Sequence, residues 1–551
     1  MKINKTIIAC AAFALLMTGC NDDFLERYPQ SITDPTFWNS TNDLQTYANQ
    51  FYGYFGGGLN SMGDGESDNQ VPNSRPAYFW NESTTPASGG MWSKDDWNPI
   101  RRLNYFMTHY QKVNAPEADV NVYVAEIRFF RAMQYGAKMR QFGDVPWLDQ
   151  ELGTDSELLY GLRLKRDQIM DKIIEDFDFA IQWLPEKPSK GRMSKDVARQ
   201  LKARTCLHEA TYYKYRPDMN QAKVNSWLEQ AAKAASDIMK TGKYELYTTG
   251  KPESDFYEMF LIEDKSTVKE VLLPVEYKDG LKMHGISRTL YEANTGFSKD
   301  FVKSFLCMDG KPIGLSSQYQ GDKTMVDEFA NRDPRLKQSI LTPDRPRNIS
   351  ANGEITYILE ENMINKNCYT GYNIIKFFSP TAKAFEPSNS TYGGIVYRYA
   401  ETLLIYAEAK AELGTITQSD LDQSINLLRD RVGMPHMKLE VGFVDPNWTK
   451  WGYTLSPLLQ EIRRERRVEL GGEGFRNDDL YRWKAAQICD NIETYIGKWD
   501  ATKDAYSEVY PGFTGKRKWD DKLYLRPIPT GELLLNPQLL PQNPGWDTIK
   551  Q

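Results

Sequence analysis

Along most of the chain apolar residues recur every three or four positions, the spacing that lines one face of a helix. From about Thr36, "FWNSTNDLQTYANQFYGYF" sets Phe37, Leu44, Tyr47, Ala48 and Phe51 on such a face, with Thr33 or Asp34 as the expected cap. "DDWNPIRRLNYFMTHYQKV" does the same through Trp97, Ile100, Leu103, Asn104 and Met107; Asp95 or Asp96 is the expected cap, and Pro99 is tolerated in a first turn. Longer helices are predicted from Val120 to Gln141 and from Lys165 to Leu184, the second stopped by Pro185. "SKDVARQLKARTCLHEATYYKY" and "NSWLEQAAKAASDIMKTG" predict a helical hairpin whose arms meet through Ala198, Ala203 and Ala210 on one side and Ala231, Ala234 and Ala235 on the other. The rhythm returns after Val396 with "YRYAETLLIYAEAKAELG", ended by Gly414, and "TQSDLDQSINLLRDRVGMP", with Ser419 as cap and Pro435 as stop. A last helix follows Ser456-Pro457 and ends at Gly471-Gly472. Helix pairs repeated in this way predict a mostly α protein on a tetratricopeptide-like scaffold, although the roughly 34-residue consensus is not clean.

Two stretches break the rhythm. Between Gly56 and Met91, "GGGLNSMGDGESDNQVPNSRPAYFWNESTTPASGGM" carries glycines, Pro72, Pro76 and Pro86 and has no helical period. A loop this long in a compact protein is either disordered or functional, and Tyr78, Phe79 and Trp80 argue against disorder. Residues 243 to 394 mix strand-like pieces, "EVLLPVEYK" and "ITYILE", with runs of Gly, Pro, Asn and Asp, so minor β and a large irregular, loop-rich face are expected there. The tail "RPIPTGELLLNPQLLPQNPGW" is expected to strap across the outside of the helices.

The start of the chain reads differently. Lys2 and Lys5 precede the apolar run "IIACAAFALLM", which is too short to span a bilayer as a helix and has the form of an export leader. Thr18 and Gly19 then lead into Cys20, followed at once by Asn21, Asp22 and Asp23. A cysteine directly after the small residues looks like a bacterial lipobox, with Met17 where Leu is commoner. In that reading Cys20 is acylated and becomes the first residue of the mature chain, held to a membrane by several acyl chains. The expected division is a leader over 1–19, a lipidated tether over 20–35, an N-terminal helical region over 36–242 that contains the 56–94 loop, and a C-terminal region over 243–551 packed with it as one unit.

Composition narrows the function classes. The chain has 551 residues and a formal charge of −6, which becomes −8 when Lys2 and Lys5 leave with the leader, and its acids and bases are interspersed, so nucleic acid is not an expected partner. Cys206, Cys307, Cys368 and Cys489 contain no CxxC and form neither a zinc signature nor a disulfide scaffold; Cys206 and Cys489 lie in helical patterns and read as buried thiols, with any pairing left open. His109, His208, His284 and His436 are far apart and give no HExxH. "GDGESDNQ" at 63 to 70 brings three acids together and is the one place where a structural calcium is considered, but its spacing departs from the EF-hand pattern, so no cofactor is expected. Glu465 and Glu469 lie one helical turn apart, like the paired carboxylates of a glycosidase. The better reading is that they and Arg466, Glu473 and Arg476, like Arg398 and Glu401, are arginine–carboxylate contacts at joints between helices, and that "GEGF" is a turn that needs glycine.

Five pieces taken together resemble the SusD/RagB family of outer-membrane nutrient-binding lipoproteins of the Bacteroidetes. They are Cys20 with its acids; "AEIRFFRAMQYGAKMRQFGDVPWL"; "DQIMDKIIEDFDFAIQWLP" leading into the alanine hairpin; "RYAETLLIYAEAKAELG"; and "IRRERRVELGGEGFRNDDLYRWK" followed by "YLRPIPTGELLLNP". The resemblance covers nearly the whole mature chain. It implies a lipid-anchored protein on the outer face of the outer membrane that sits over a SusC-like TonB-dependent transporter, captures glycan or peptide, and has no catalytic centre. Asp22, Asp23 and Glu26 resemble the acids that send lipoproteins of this phylum to the surface.

Sugars present apolar C–H faces to aromatic rings and hydroxyls to Asp, Asn and Arg. The 56–94 loop holds both kinds of side chain, and Asp68, Asn69, Arg75, Tyr78, Trp80 and Trp92 are its candidate ligand contacts. Trp97 is excluded as a helix-packing residue, and Tyr277, Tyr291, Phe297 and Tyr319 are the fallback set. Capture of an oligo- or polysaccharide is the favoured function; peptide capture, surface glycoside hydrolysis and a purely structural role are the alternatives.

Overall fold

The computed structural model describes residues 37–78, 80–153, 155–510 and 517–546. The leader, Cys20 and the tether to residue 35 lie outside them, as do Thr33, Asp34 and Phe79. The first helix, α1 (Thr41–Asn49), starts at Ser40, whose hydroxyl accepts from the Asp43 N–H while the Ser40 N–H donates to the Asp43 carboxylate at 2.9 Å. Ser93 and Asp96 repeat this reciprocal cap at α2 (Lys94–His109). Asp96 is thus the third residue of the helix and not its cap, because the hydroxyl one turn earlier already supplies the acceptor.

The helical array continues through α3 (Glu117–Phe142), α4 (Arg166–Trp183), α5 (Lys195–Lys214) and α6 (Val224–Met239), each packed on the one before. Ala198, Ala203 and Ala210 of α5 and Ala231, Ala234 and Ala235 of α6 are all buried, so these two helices close on each other as the alanine spacing requires. From α6 the packing passes to a distant segment, α7 (Tyr399–Glu412). Where one helix was expected next, the chain makes two, α8 (Gln418–Asp422) and α9 (Ile425–Arg431). Thr417 caps the first through Asp420, so Ser419 lies inside the helix. α7 then packs on α10 (Pro457–Leu470), which is followed by α11 (Arg476–Arg482).

Strands occur only in pairs among the described residues. Val271–Val275 runs antiparallel to Gly394–Arg398, Gln70–Pro72 to Thr295–Phe297, Asn348–Ile349 to Ile355–Thr356, and Ile496–Asp500 to Ala505–Glu508. The main core lies between the helices; a second forms around Phe297, Phe301, Phe305, Leu336 and Ile340, and a third around Trp451, Trp483, Trp519 and Trp546. Through that third core the tail straps onto the array: the Arg526 N–H donates to the Gln141 carbonyl at 2.7 Å and the Asn543 amide to the Phe142 carbonyl at 3.0 Å, covering the end of α3. Cys206, Cys307, Cys368 and Cys489 are buried free thiols, and no described helix is long and apolar enough to cross a membrane.

Candidate functional site

The segment from Glu465 to Arg482 is the hub on which the irregular face is mounted. Glu469 is fully buried and accepts from Arg335 at 3.0 Å, Arg398 at 2.6 Å and Arg431 at 2.6 Å. Arg398 also reaches Glu270 at 3.0 Å and Glu473 at 2.7 Å, and Glu465 takes Arg429 at 2.9 Å. Burial alone would raise the Glu469 carboxyl, but Arg431, Arg398 and Arg335 outweigh it and hold it well below the ordinary carboxylate range. A carboxylate so held cannot lend or take a proton near neutrality, so Glu469 is scaffold, and Glu465 beside it is committed to Arg335 and Arg429. Glu401 is likewise held by Arg204 and Gln200, and Arg128 and Arg131 both close on Asp176.

The 56–94 loop is bolted to this hub by its own acids. Asp64 accepts from the backbone N–H of Gly472 at 2.7 Å and of Gly474 at 3.0 Å, and from the Asn69 amide at 2.9 Å. Gly472 and Gly474 have φ of 86° and 88°, which is why "GEGF" needs glycine there. Asp68 pairs both oxygens with Arg476 at 2.7 Å, and Arg467 donates to Asn69 at 2.7 Å. Burial works against the Asp68 charge, yet Arg467 and Arg476 bring its carboxyl down to about 2. Ser298 donates its N–H to Asn69, and Gln70–Pro72 pairs with Thr295–Phe297, so the loop closes over the second core. With Asp64 and Asp68 occupied in this way the acids of "GDGESDNQ" form no oxygen cage, and among the described residues no group of three or more His, Cys, Asp or Glu could hold a metal ion.

The six candidate contacts therefore lie in different settings. Asp68 and Asn69 are buried under the loop with their polar atoms committed to arginine. Trp92 belongs to the main core, edge-on to Phe142 at 4.7 Å and to Trp97 at 5.1 Å. Trp97 is half-buried beside it, as its helical spacing required. Tyr78 stacks on Trp546 of the tail, and its hydroxyl donates to Leu523 at 3.0 Å. Arg75 is half-buried, paired with Glu82 at 2.7 Å and 5.3 Å from the ring of Trp80, which is itself a buried member of the third core. Trp80, 9% exposed, is flanked edge-on by Tyr495 at 5.4 Å and Tyr510 at 5.5 Å, and the three rings line a shallow notch with Pro72, Pro76 and Arg517. The Tyr510 hydroxyl donates to Pro72 at 2.8 Å, and Asn73 donates to Lys366 at 2.6 Å beside the exposed Tyr369. Of the fallback residues, Phe297 is core, while the Tyr277 hydroxyl donates to Gly57 at 2.9 Å.

Tyr495 and Tyr510 line the notch and were not singled out in the sequence, while the exposed Tyr369 is not one of its lining residues. The two flank a hairpin far from residues 56–94, and only their aromatic character marked them. The notch is thus an aromatic and hydrogen-bonding face assembled from three segments, with a rigid ionic floor beneath it.

Residues 289–546 match the model of the SusD family. SusD-like protein P2 of Formosa agariphila is 25% identical over 565 aligned positions that cover 99% of this chain and all of that protein. Among solved structures, a SusD-like protein from Bacteroides fragilis superposes with a TM-score of 0.74 at 24% identity, covering 94% of this chain and 99% of that one. A SusD-like carbohydrate binding protein of the same species gives a TM-score of 0.69 at 22% identity, covering 92% and 100%.

Proposed function

Because the chain belongs to the SusD/RagB family, we propose that it is a non-catalytic binding protein on the outer face of the outer membrane, where it captures an oligo- or polysaccharide and passes it to a SusC-like TonB-dependent transporter. The helix pairs act as a tetratricopeptide-like scaffold, and a lipid on Cys20 holds the protein to the membrane through the 20–35 tether. The single observation that carries the reading is the mounting of the 56–94 loop: nearly forty residues without helical period are bolted by Asp64 and Asp68 to the hub at 465–482. This leaves Arg75, Trp80, Tyr495 and Tyr510 on one face. A rigid aromatic face suits a polymer that must lie along a surface and leave again, since little ordering is needed on binding. The likeness to a carbohydrate-binding protein of Bacteroides fragilis supports the same ligand class.

An array of polysaccharides and peptides probed with the mature protein tests this. Retention of a glycan without release of reducing ends is expected. Retention of peptides alone, or release of reducing ends, would overturn it. Replacing Cys20→Ser tests the anchor: the protein should be exported yet absent from the membrane fraction, and unchanged surface attachment would refute the lipid. Neutralising Asp22, Asp23 and Glu26 should keep the anchor but lose surface exposure.

A further inference from the structure

A cavity of about 480 Å³ lies on the other side of the Asn491–Tyr495 turn from the aromatic notch, within the size range of small-molecule sites. One wall is α10, which contributes Gln460, Arg463, Arg464 and Arg467; the facing wall is the 445–451 segment with Trp448 and Trp451, and Arg476 closes the floor. Arg467 and Arg476 are more than nine-tenths buried, and each spends two guanidinium nitrogens on neighbours: Arg476 on Asp68, and Arg467 on Asn69 and Asp300. Arg464 likewise spends its Nη2 on Asp445 at 2.5 Å and its Nε on Glu461 at 3.3 Å. The third nitrogen of each, Nη1, makes no hydrogen bond among the described residues, and the buried Arg463 Nε is without a partner as well.

We propose that this cavity binds an acidic sugar, a uronic acid carried by the captured glycan; the proposal rests on the glycan-binding reading and names one of its substrate classes. A carboxylate accepts from two guanidinium N–H groups at once, and the Nη1 donors of Arg464, Arg467 and Arg476, which are not among the buried unpartnered atoms, are open to an acceptor that enters the cavity. The carboxylates behind these arginines fix where the free nitrogens point, so the donors are set before the ligand arrives. Asp68, a candidate contact from the sequence, acts here as a positioning residue for Arg476. Lys450, exposed at the rim and without an ion pair among the described residues, leaves an unbalanced positive charge where an anion would enter. Trp448, half-buried and held by an indole bond to Glu461 at 2.7 Å, offers a ring to the pyranose C–H face.

The test is calorimetric titration of the whole mature protein at low salt with trigalacturonate, with a neutral trisaccharide, and with acetate and inorganic phosphate. Saturable binding of trigalacturonate is expected, weakened at least about tenfold by Trp448→Ala and by the surface change Lys450→Glu, and unaffected by Tyr510→Ala in the notch. Absence of binding, binding insensitive to both cavity variants, or equal affinity for acetate or phosphate would overturn the proposal. The two readings fail separately. Neutral polysaccharide binding lost only in Tyr510→Ala, with no response to trigalacturonate, would sink the cavity and leave glycan capture standing. Trigalacturonate binding lost in Trp448→Ala, with no neutral polysaccharide retained on the array, would leave the cavity standing and confine glycan capture to acidic chains.

Discussion

The α5–α6 hairpin and the described residues of the 56–94 loop are held by opposite means. Between α5 and α6 the contact is alanine on alanine, apolar, closely packed and free of charge. Under the loop the contact is Asp64 on backbone amides and Asp68 on Arg476 and Arg467, buried and ionic. A helix satisfies its own backbone hydrogen bonds and needs only an apolar face to dock. An irregular segment cannot, so it must bring polar groups that answer other polar groups inside the protein. Ionic mounting fixes the loop from beneath, while its aromatics Trp92 and Trp80 pack into the main and third cores.

The largest test of this contrast is Asp68→Ala. It would leave Arg476 and Arg467 short of a buried counter-charge and should cost roughly 3–5 kcal/mol, the range for breaking a buried ion pair. Chemical unfolding measures it, and a loss below about 1 kcal/mol would mean that the loop is held by its apolar contacts after all. Acid separates the two regions without mutation. Asp68 has its folded pKa depressed from 3.8 to about 2, so its contribution is complete above pH 3.8 and is lost as pH falls through about 2. Stability should decline with falling pH over that window, and Asp68→Asn should flatten this part of the curve; an identical slope in the variant would remove Asp68 from the account.

On the hairpin side, Ala210→Leu forces extra volume into a closed alanine face and should cost about 1–3 kcal/mol with no added pH dependence. A neutral or stabilising result would show slack between α5 and α6 where close packing is inferred. The smallest stability effect is expected from Tyr510→Ala, which touches the notch and not the floor. It should change the unfolding midpoint little and weaken glycan binding by roughly 1–3 kcal/mol, the scale of a stacking aromatic in a binding face. Trp92→Ala is the control that should invert this pattern, lowering stability as a core truncation and leaving affinity alone.

Much of the architecture was legible in the chain itself. Helical spacing located α3, α4, α5, α6 and α7 to within a turn at each end, and the alanine stripes identified which faces close on each other. Caps were less legible, because Ser93, Thr417 and the acids near them are equivalent by composition and only the backbone shows which hydroxyl lies at the turn. The glycine pair at Gly472 and Gly474 was readable as a turn, but not as the donor of the amides that grip Asp64.

The loop at 56–94 stood apart by its lack of period, yet its residues could not be sorted by sequence. Asp68 and Trp92 have the chemistry of ligand contacts; what makes the first an ionic anchor of the loop and the second a core plug is which distant segment meets them. Arg476 and Phe142 do so here, one more than four hundred positions along the chain and the other on α3. Local spacing decides local structure because a helix's partners are its own near neighbours. The notch lined by Pro72, Trp80, Tyr495, Tyr510 and Arg517 depends on long-range contacts that leave no periodic trace, so its membership was decided only when the chain had folded.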